Sequence, residues 1–128
     1  MQNYRDLKVW QSAMQLAENV YRITAPFPNH ETYGLTSQLR RAAVSIPSNL
    51  AEGHARSTTR DYLRFVGIAQ GSLAEAETQI ELAHRLGYVP ADDLRTMLEQ
   101  TNELGRMLHG LRSALIAKLA PTSLTPES

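Results

Sequence analysis

Apolar residues return every three or four positions along nearly the whole chain, and no stretch alternates apolar with polar as a half-buried strand would. That periodicity confines the chain to helices packed on helices. It is interrupted at three places, each with turn chemistry: Ala25-Pro26-Phe27-Pro28-Asn29, Glu52-Gly53-His54-Ala55-Arg56-Ser57, and Gly87 followed by Pro90. The residue before each proline is pushed out of the α region, and glycine accepts the left-handed backbone that closes a helix. Three interruptions define four helices.

The first is expected over residues 7–24, with Asp6 as N-cap and Leu7, Trp10, Met14, Ala17 and Tyr21 on its inner face. Phe27, between two prolines, is expected to plug the end of the core. The second spans 32–52, with Leu35, Leu39, Ala42, Ile46 and Leu50 inward. Pro47 lies inside it and removes the bond to the Ala43 carbonyl, which predicts a kink where Ser45 or Asn49 satisfies freed backbone. Gly53 is expected to end this helix. The third covers 59–86, opened by a Thr58/Asp61 pair of capping-box type, with Tyr62, Phe65, Ala69, Leu73, Ala76, Ile80 and Ala83 as its seam. Pro90 opens the fourth, followed by Asp92 and Asp93 at the positive end of the helix dipole. Its inward residues are Leu94, Met97, Leu98, Thr101, Leu104, Leu108, Leu111, Leu115 and Leu119. Short connections make the architecture all-α, an antiparallel up-down-up-down four-helix bundle. Its length of 128 residues suits one domain over residues 1–120, and the Pro/Ser/Thr-rich segment 121–128 reads as a disordered tail.

A monomeric bundle needs one apolar stripe per helix, and this chain has more. Val9, Leu16 and Ile23 repeat on the first helix beside its main stripe, and Ile68, Leu82 and Leu86 lie behind the seam of the third. Gly67 and Gly71, with Ala74 and Thr78, form a strip of small residues there. Glycine inside a helix costs about 1 kcal/mol relative to alanine, and often marks close approach of another backbone. These positions are read as a subunit interface, a two-fold dimer being the commonest form; scattered surface apolar residues are the alternative.

Charge is balanced overall, with 13 basic and 13 acidic residues, yet unevenly spread. Residues 30–70 hold Arg40, Arg41, Arg56, Arg60 and Arg64 against three acids, whereas residues 71–105 hold seven acids against two arginines. The five arginines are candidates for contact with RNA or DNA phosphates; ion pairing along helix surfaces is the competing account. The sequence lacks cysteine, which leaves no disulfide or thiolate metal site. It also lacks a signal-peptide core at its start and any run of ~18 apolar residues, so a cytoplasmic protein outside the membrane is expected. Glu81-Leu82-Ala83-His84 is a lone Glu-x-x-His without the second copy that a di-iron bundle needs. There is no nucleophile elbow and no phosphate-cradling glycine loop. No catalytic residue, metal, cofactor or small-molecule substrate is expected, and Gln38, Ser45 and Asn49 read as a satisfied polar network beside Pro47.

Tyr33-Gly34-Leu35-Thr36-Ser37-Gln38-Leu39-Arg40-Arg41-Ala42 and Ser45-Ile46-Pro47-Ser48-Asn49-Leu50-Ala51-Glu52-Gly53 resemble the 23S rRNA-intervening sequence proteins. Leu7-Lys8-Val9-Trp10-Gln11, Phe65, Ile68-Ala69-Gln70-Gly71-Ser72, Glu75, Leu82-Ala83 and Leu86-Gly87-Tyr88 extend the likeness over about residues 4–118. The resemblance implies a bacterial, cytosolic four-helix bundle. It is also similar to the accessory protein of diversity-generating retroelements, a pentameric barrel that binds nucleic acid and a reverse transcriptase, and this implies a homopentamer rather than a dimer. The expected function is thus a non-enzymatic, nucleic-acid-associated accessory protein, with a purely structural or protein-interaction scaffold as the alternative.

Overall fold

The computed structural model describes residues 3–119. Residues 121–128, expected as a disordered tail, lie outside the described residues. Four helices occupy nearly all of the described chain: α1 Lys8–Thr24, α2 Leu35–His54, α3 Thr59–Arg85 and α4 Ala91–Leu119. Each packs beside the next and α4 returns to α1, giving the antiparallel four-helix bundle that the periodicity predicts.

Helix α1 departs from expectation at its start and on its inner face. Asn3 opens a separate 3-10 turn, Tyr4–Asp6: its side chain accepts from the Arg5 N–H at 2.8 Å, and the Asp6 carboxylate accepts from the Asn3 N–H at 3.3 Å. Asp6 is therefore engaged in that turn, and Leu7 occupies the N-cap of α1. The buried face is Val9, Ala13, Leu16, Ala17, Val20 and Thr24, while Met14 and Tyr21 are 37% and 48% exposed. Val9 and Leu16, read as interface residues, are core, and Ile23 is half-buried against it. Two stripes at helical spacing lie about 100° apart on α1, and periodicity cannot choose between them. Small Ala13 and Ala17 let the neighbouring helices close on the one that won.

Helix α2 begins at Leu35 because Asn29–Glu31 form a 3-10 turn of their own. The Glu31 carboxylate accepts from the Leu35 N–H at 3.0 Å and caps the helix. Leu35, Leu39, Ala42, Ile46 and Leu50 are buried as expected, and Pro47 lies inside the helix. Gly53 does not end it. An added Cβ at Gly53 would sit 2.8 Å from the Phe65 Cβ and 3.0 Å from the Tyr62 ring, so this glycine lets α2 and α3 meet near their shared turn. Thr58 caps α3 by accepting from the Asp61 N–H at 3.1 Å. Gly87, at φ 86°, closes it: the Gly87 and Tyr88 N–H groups reach the carbonyls of His84 and Ala83, both at 2.9 Å. On α4, Met97, Thr101, Leu104, Leu108 and Leu115 are buried, whereas Leu119, expected inward, is exposed at the helix end.

The α1–α2 and α3–α4 connections are clasped together at one end of the bundle. Phe27 plugs the core as expected, its ring 5.3 Å from that of Tyr88. The Tyr88 hydroxyl donates to Glu31 at 3.0 Å and lies 3.3 Å from His30 Nε2. The Leu35 N–H, then the Tyr88 hydroxyl, then His30 hold the Glu31 carboxyl below its ordinary value, against the opposing effect of burial. Burial first, and Glu31 second, push the Tyr88 phenol up.

A lowered folded pKa contributes stability that is complete above the ordinary carboxylate value of 4.5 and is lost as pH falls through the folded value. Glu31→Gln should therefore lower the thermal midpoint at neutral pH, and the gap to the parent chain should close on acidification below 4.5. Gly53→Ala should destabilise by about 1–3 kcal/mol in urea unfolding, because overpacking outweighs the helix propensity gained. Gly67→Ala, where nothing lies within 4 Å of the new methyl, should instead stabilise the single subunit by about 0.5–1 kcal/mol.

Candidate functional site

The five arginines are not gathered into one patch. Arg41 and His54, the last residue of α2, are separated by about 20 Å along the helix axis. Arg40 and Arg41 thus lie toward the clasped end, and Arg56, Arg60 and Arg64 around the α2–α3 turn at the other. Their environments also differ. Arg40 donates through Nε to the Thr24 hydroxyl at 2.7 Å and stacks 4.4 Å over the Tyr21 ring, tying α2 to the end of α1. The Thr24 hydroxyl in turn donates a hydrogen bond to the Val20 carbonyl at 2.7 Å, which explains a threonine buried on an apolar face. Arg56 pairs with Glu52 at 3.0 Å, and Arg56 and Arg64 both stack on Phe65, at 4.7 and 4.6 Å. Among the described residues, Arg41 and Arg60 have no acidic partner.

The apolar surplus exists, but only part of it lies where expected. On α3, Ile68, Leu82 and Leu86 are exposed by 41–50%, and Gly67 and Gly71 face open space. On α1, the stripe read as core is split: Ala17 is buried and Leu7 and Trp10 are half-buried against the core, while Met14 and Tyr21 are left outside. Trp10, Met14 and Tyr21 line a groove of about 560 Å³ against Val44, Pro47 and Ala51 of α2, with Tyr4 edge-on to Trp10 at 5.4 Å. A further open depression of about 600 Å³ adjoins it across Tyr21 and Val44, where Tyr33, Thr36, Ser37, Arg40 and Arg41 converge. Tyr33 is 95% exposed. The sequence reading assigned it no role, although an aromatic that follows a Pro-x-Pro turn and sits on no apolar stripe is a legible signal.

The polar residues singled out on α2 join a ladder to α3. The Ser45 and Ser72 hydroxyls meet at 2.8 Å, and the Asn49 amide donates to the Ser45 carbonyl and hydroxyl at 2.7 and 2.9 Å. Asn49 thus serves the carbonyl of Ser45. The Gln79 amide donates to Gln38 and Glu75, both at 3.3 Å, and its buried Oε1 has no partner among the described residues. Glu81 pairs with Arg85 at 3.5 Å, and His84 Nδ1 meets the Val89 carbonyl at 2.8 Å, so the Glu-x-x-His pair serves its own helix and the next turn. No group of three or more metal-ligating side chains is found among the described residues, and none of their helices is long and apolar enough to cross a membrane.

A small antiparallel bundle with polar groups spent on helix packing, and with apolar and arginine-bearing faces left outside, belongs to the class of all-α four-helix-bundle proteins. More particularly, the chain belongs to the 23S rRNA-intervening sequence protein family, whose model matches residues 5–110. It is also similar to a solved structure from Bacteroides thetaiotaomicron, described as a protein with unknown function from the S23 ribosomal protein family. The two share 19% identity at a TM-score of 0.73, over 81% of this chain and 97% of that one, a likeness of fold. No curated protein matches the chain.

The two neighbouring arginines on α2 should respond differently to truncation. Arg40→Ala removes a charge-assisted bond to buried Thr24 and should destabilise by about 1.5–3 kcal/mol in urea unfolding. Arg41→Ala, on the open surface, should stay within about 0.5 kcal/mol of the parent.

Proposed function

We propose that this chain is the subunit of a cytoplasmic, non-enzymatic homo-oligomer, a ring of five, that acts as an accessory protein on RNA or DNA. The observation that carries the reading is large apolar side chains outside a core that is already closed. Ile68, Leu82 and Leu86 stand on one helix, and Met14, Tyr21 and Val44 stand on the groove of another pair. These are two dissimilar surfaces, a ridge bearing glycines and a concavity bearing aromatics. Contact between unlike surfaces is head-to-tail, and head-to-tail contacts generate rings when the rotation closes. The five-fold count and the cytoplasmic setting come from the family resemblance. Val9 and Leu16 drop out of the interface because the core uses them.

Nucleic-acid association rests on Arg41 and Arg60, which lack acidic partners among the described residues, and on Arg56 and Arg64, whose guanidinium carbons lie 4.7 and 4.6 Å from the Phe65 ring centre. Symmetry multiplies each of these charges around an axis, so a neutral chain can present a concentrated positive field. The family description refers to 23S rRNA, which makes RNA the first nucleic acid to test. The second reading, a protein-interaction scaffold, is favoured by the engagement of Arg40 with Thr24 and of Arg56 with Glu52.

Sedimentation should give a mass of several subunits at micromolar concentration, and Ile68→Glu with Leu82→Glu should return a folded monomer. A monomeric parent chain would remove the oligomer. RNA shift assays should show affinity falling steeply with added salt, and Arg60→Glu should weaken it. A flat salt dependence leaves the scaffold reading.

A further inference from the structure

We propose that the depression around Tyr33 and Arg41 is a subsite for single-stranded nucleic acid, where the Tyr33 ring stacks on one unpaired base and Arg41 holds an adjoining phosphate. The inference rests on the nucleic-acid reading above and specifies where and how contact is made.

Tyr33 is 95% exposed, the most exposed of the large apolar and aromatic side chains among the described residues. It is also firmly carried. The Thr32 and Gly34 N–H groups donate to the Asn29 and Glu31 carbonyls at 3.1 and 2.9 Å, so the backbone on either side of the ring is fixed in a turn. Glu31 itself is secured by Leu35 and Tyr88. An aromatic on a rigid turn offers a π-face with little ordering left to do when a base arrives.

The surroundings match a nucleotide's other half. Two arginines and the hydroxyl residues Thr32, Thr36 and Ser37 line the depression, and no acidic residue does. Arg40 is immobilised over Tyr21 and supplies a fixed positive field, while Arg41 is left to bind. Hydroxyl groups and arginine are phosphate ligands, and the apolar Tyr21 and Val44 stand at the edge that the depression shares with the neighbouring groove. Bases in a duplex are already stacked on each other and present no face to Tyr33, so the site selects unpaired strands.

The test is fluorescence anisotropy of the full chain with a labelled oligouridylate of about a dozen nucleotides, against duplex RNA of the same length. The parent chain should prefer the single strand. Tyr33→Ala should weaken oligouridylate binding by roughly tenfold, and Tyr33→Phe should restore it, because the ring face is what binds. Arg41→Gln should weaken binding and lower the salt slope by about one. Both positions are on the surface, and circular dichroism should show every variant folded. Tyr33→Ala binding like the parent, or duplex binding as tightly as single strand, would overturn the subsite. So would a Tyr33→Ala chain that changes its sedimentation while keeping its affinity for the oligonucleotide. If the parent binds no oligonucleotide even at low salt, the nucleic-acid reading falls as well. If binding is lost only in Arg60→Glu with Arg64→Glu, that reading stands and this subsite alone is excluded.

Discussion

Where α2 faces α3, the side chains are small. Ala42 and Ala43 on one helix and Ala69, Ser72, Ala76 and Ala83 on the other are all buried, and Gly53 makes room for Phe65 and Tyr62. Small residues bring backbones together, and close backbones leave no room for large side chains between them. Polar groups trapped at that approach must find partners within it, which the Ser45–Ser72 contact and the Gln38–Gln79–Glu75 chain do. The remaining helices complete the core around this pair. Helix α1 contributes its narrower face, Val9, Ala13, Leu16 and Val20, and turns its bulkier residues outward. The surface that the molecule offers to others is therefore a by-product of how tightly two of its helices meet.

That origin explains why the outer faces differ in character. The back of α3 carries open glycines with isolated large residues between them, so it is a shallow ridge. The α1–α2 side is a furrow, lined by Pro47 and Ala51 of α2 and by half-buried Trp10 and exposed Met14 of α1. Aromatic and arginine side chains then gather beyond the furrow, at the N-terminal end of α2, where Arg40 pins Tyr21 and leaves Arg41 loose. The furrow and the depression beyond it share Tyr21 and Val44 as their common edge.

Fold and element order were legible because they depend on spacing and on turn residues. The Pro26/Pro28 break, the Gly87 closure and the stripes of α2 and α3 all appear as the pattern demands. The choice of face on α1 was not legible: two stripes satisfied the same period, and the winner was set by neighbours distant in sequence. Gly53 was misread for a related reason. A glycine near a helix end signals termination locally, but here its absent side chain matters to Phe65 and Tyr62 across the interface. The arginines were visible as a cluster in sequence, yet a helix converts that cluster into two groups at opposite ends. Tyr33 was legible only as an aromatic on no apolar stripe after the Pro-x-Pro turn; how far it is exposed is set by the fold.

Glu31 has one carboxylate oxygen on the first amide of α2 and the other on the Tyr88 phenol. A single side chain thus links two connections that lie 57 residues apart in sequence. It also steadies the turn that presents Tyr33, two positions further on. The turn that presents Tyr33 and the connection between α3 and α4 thus share one anion. Removing that anion would therefore loosen two turns of the bundle at once, although all of α2 and α3 lies between them in the chain.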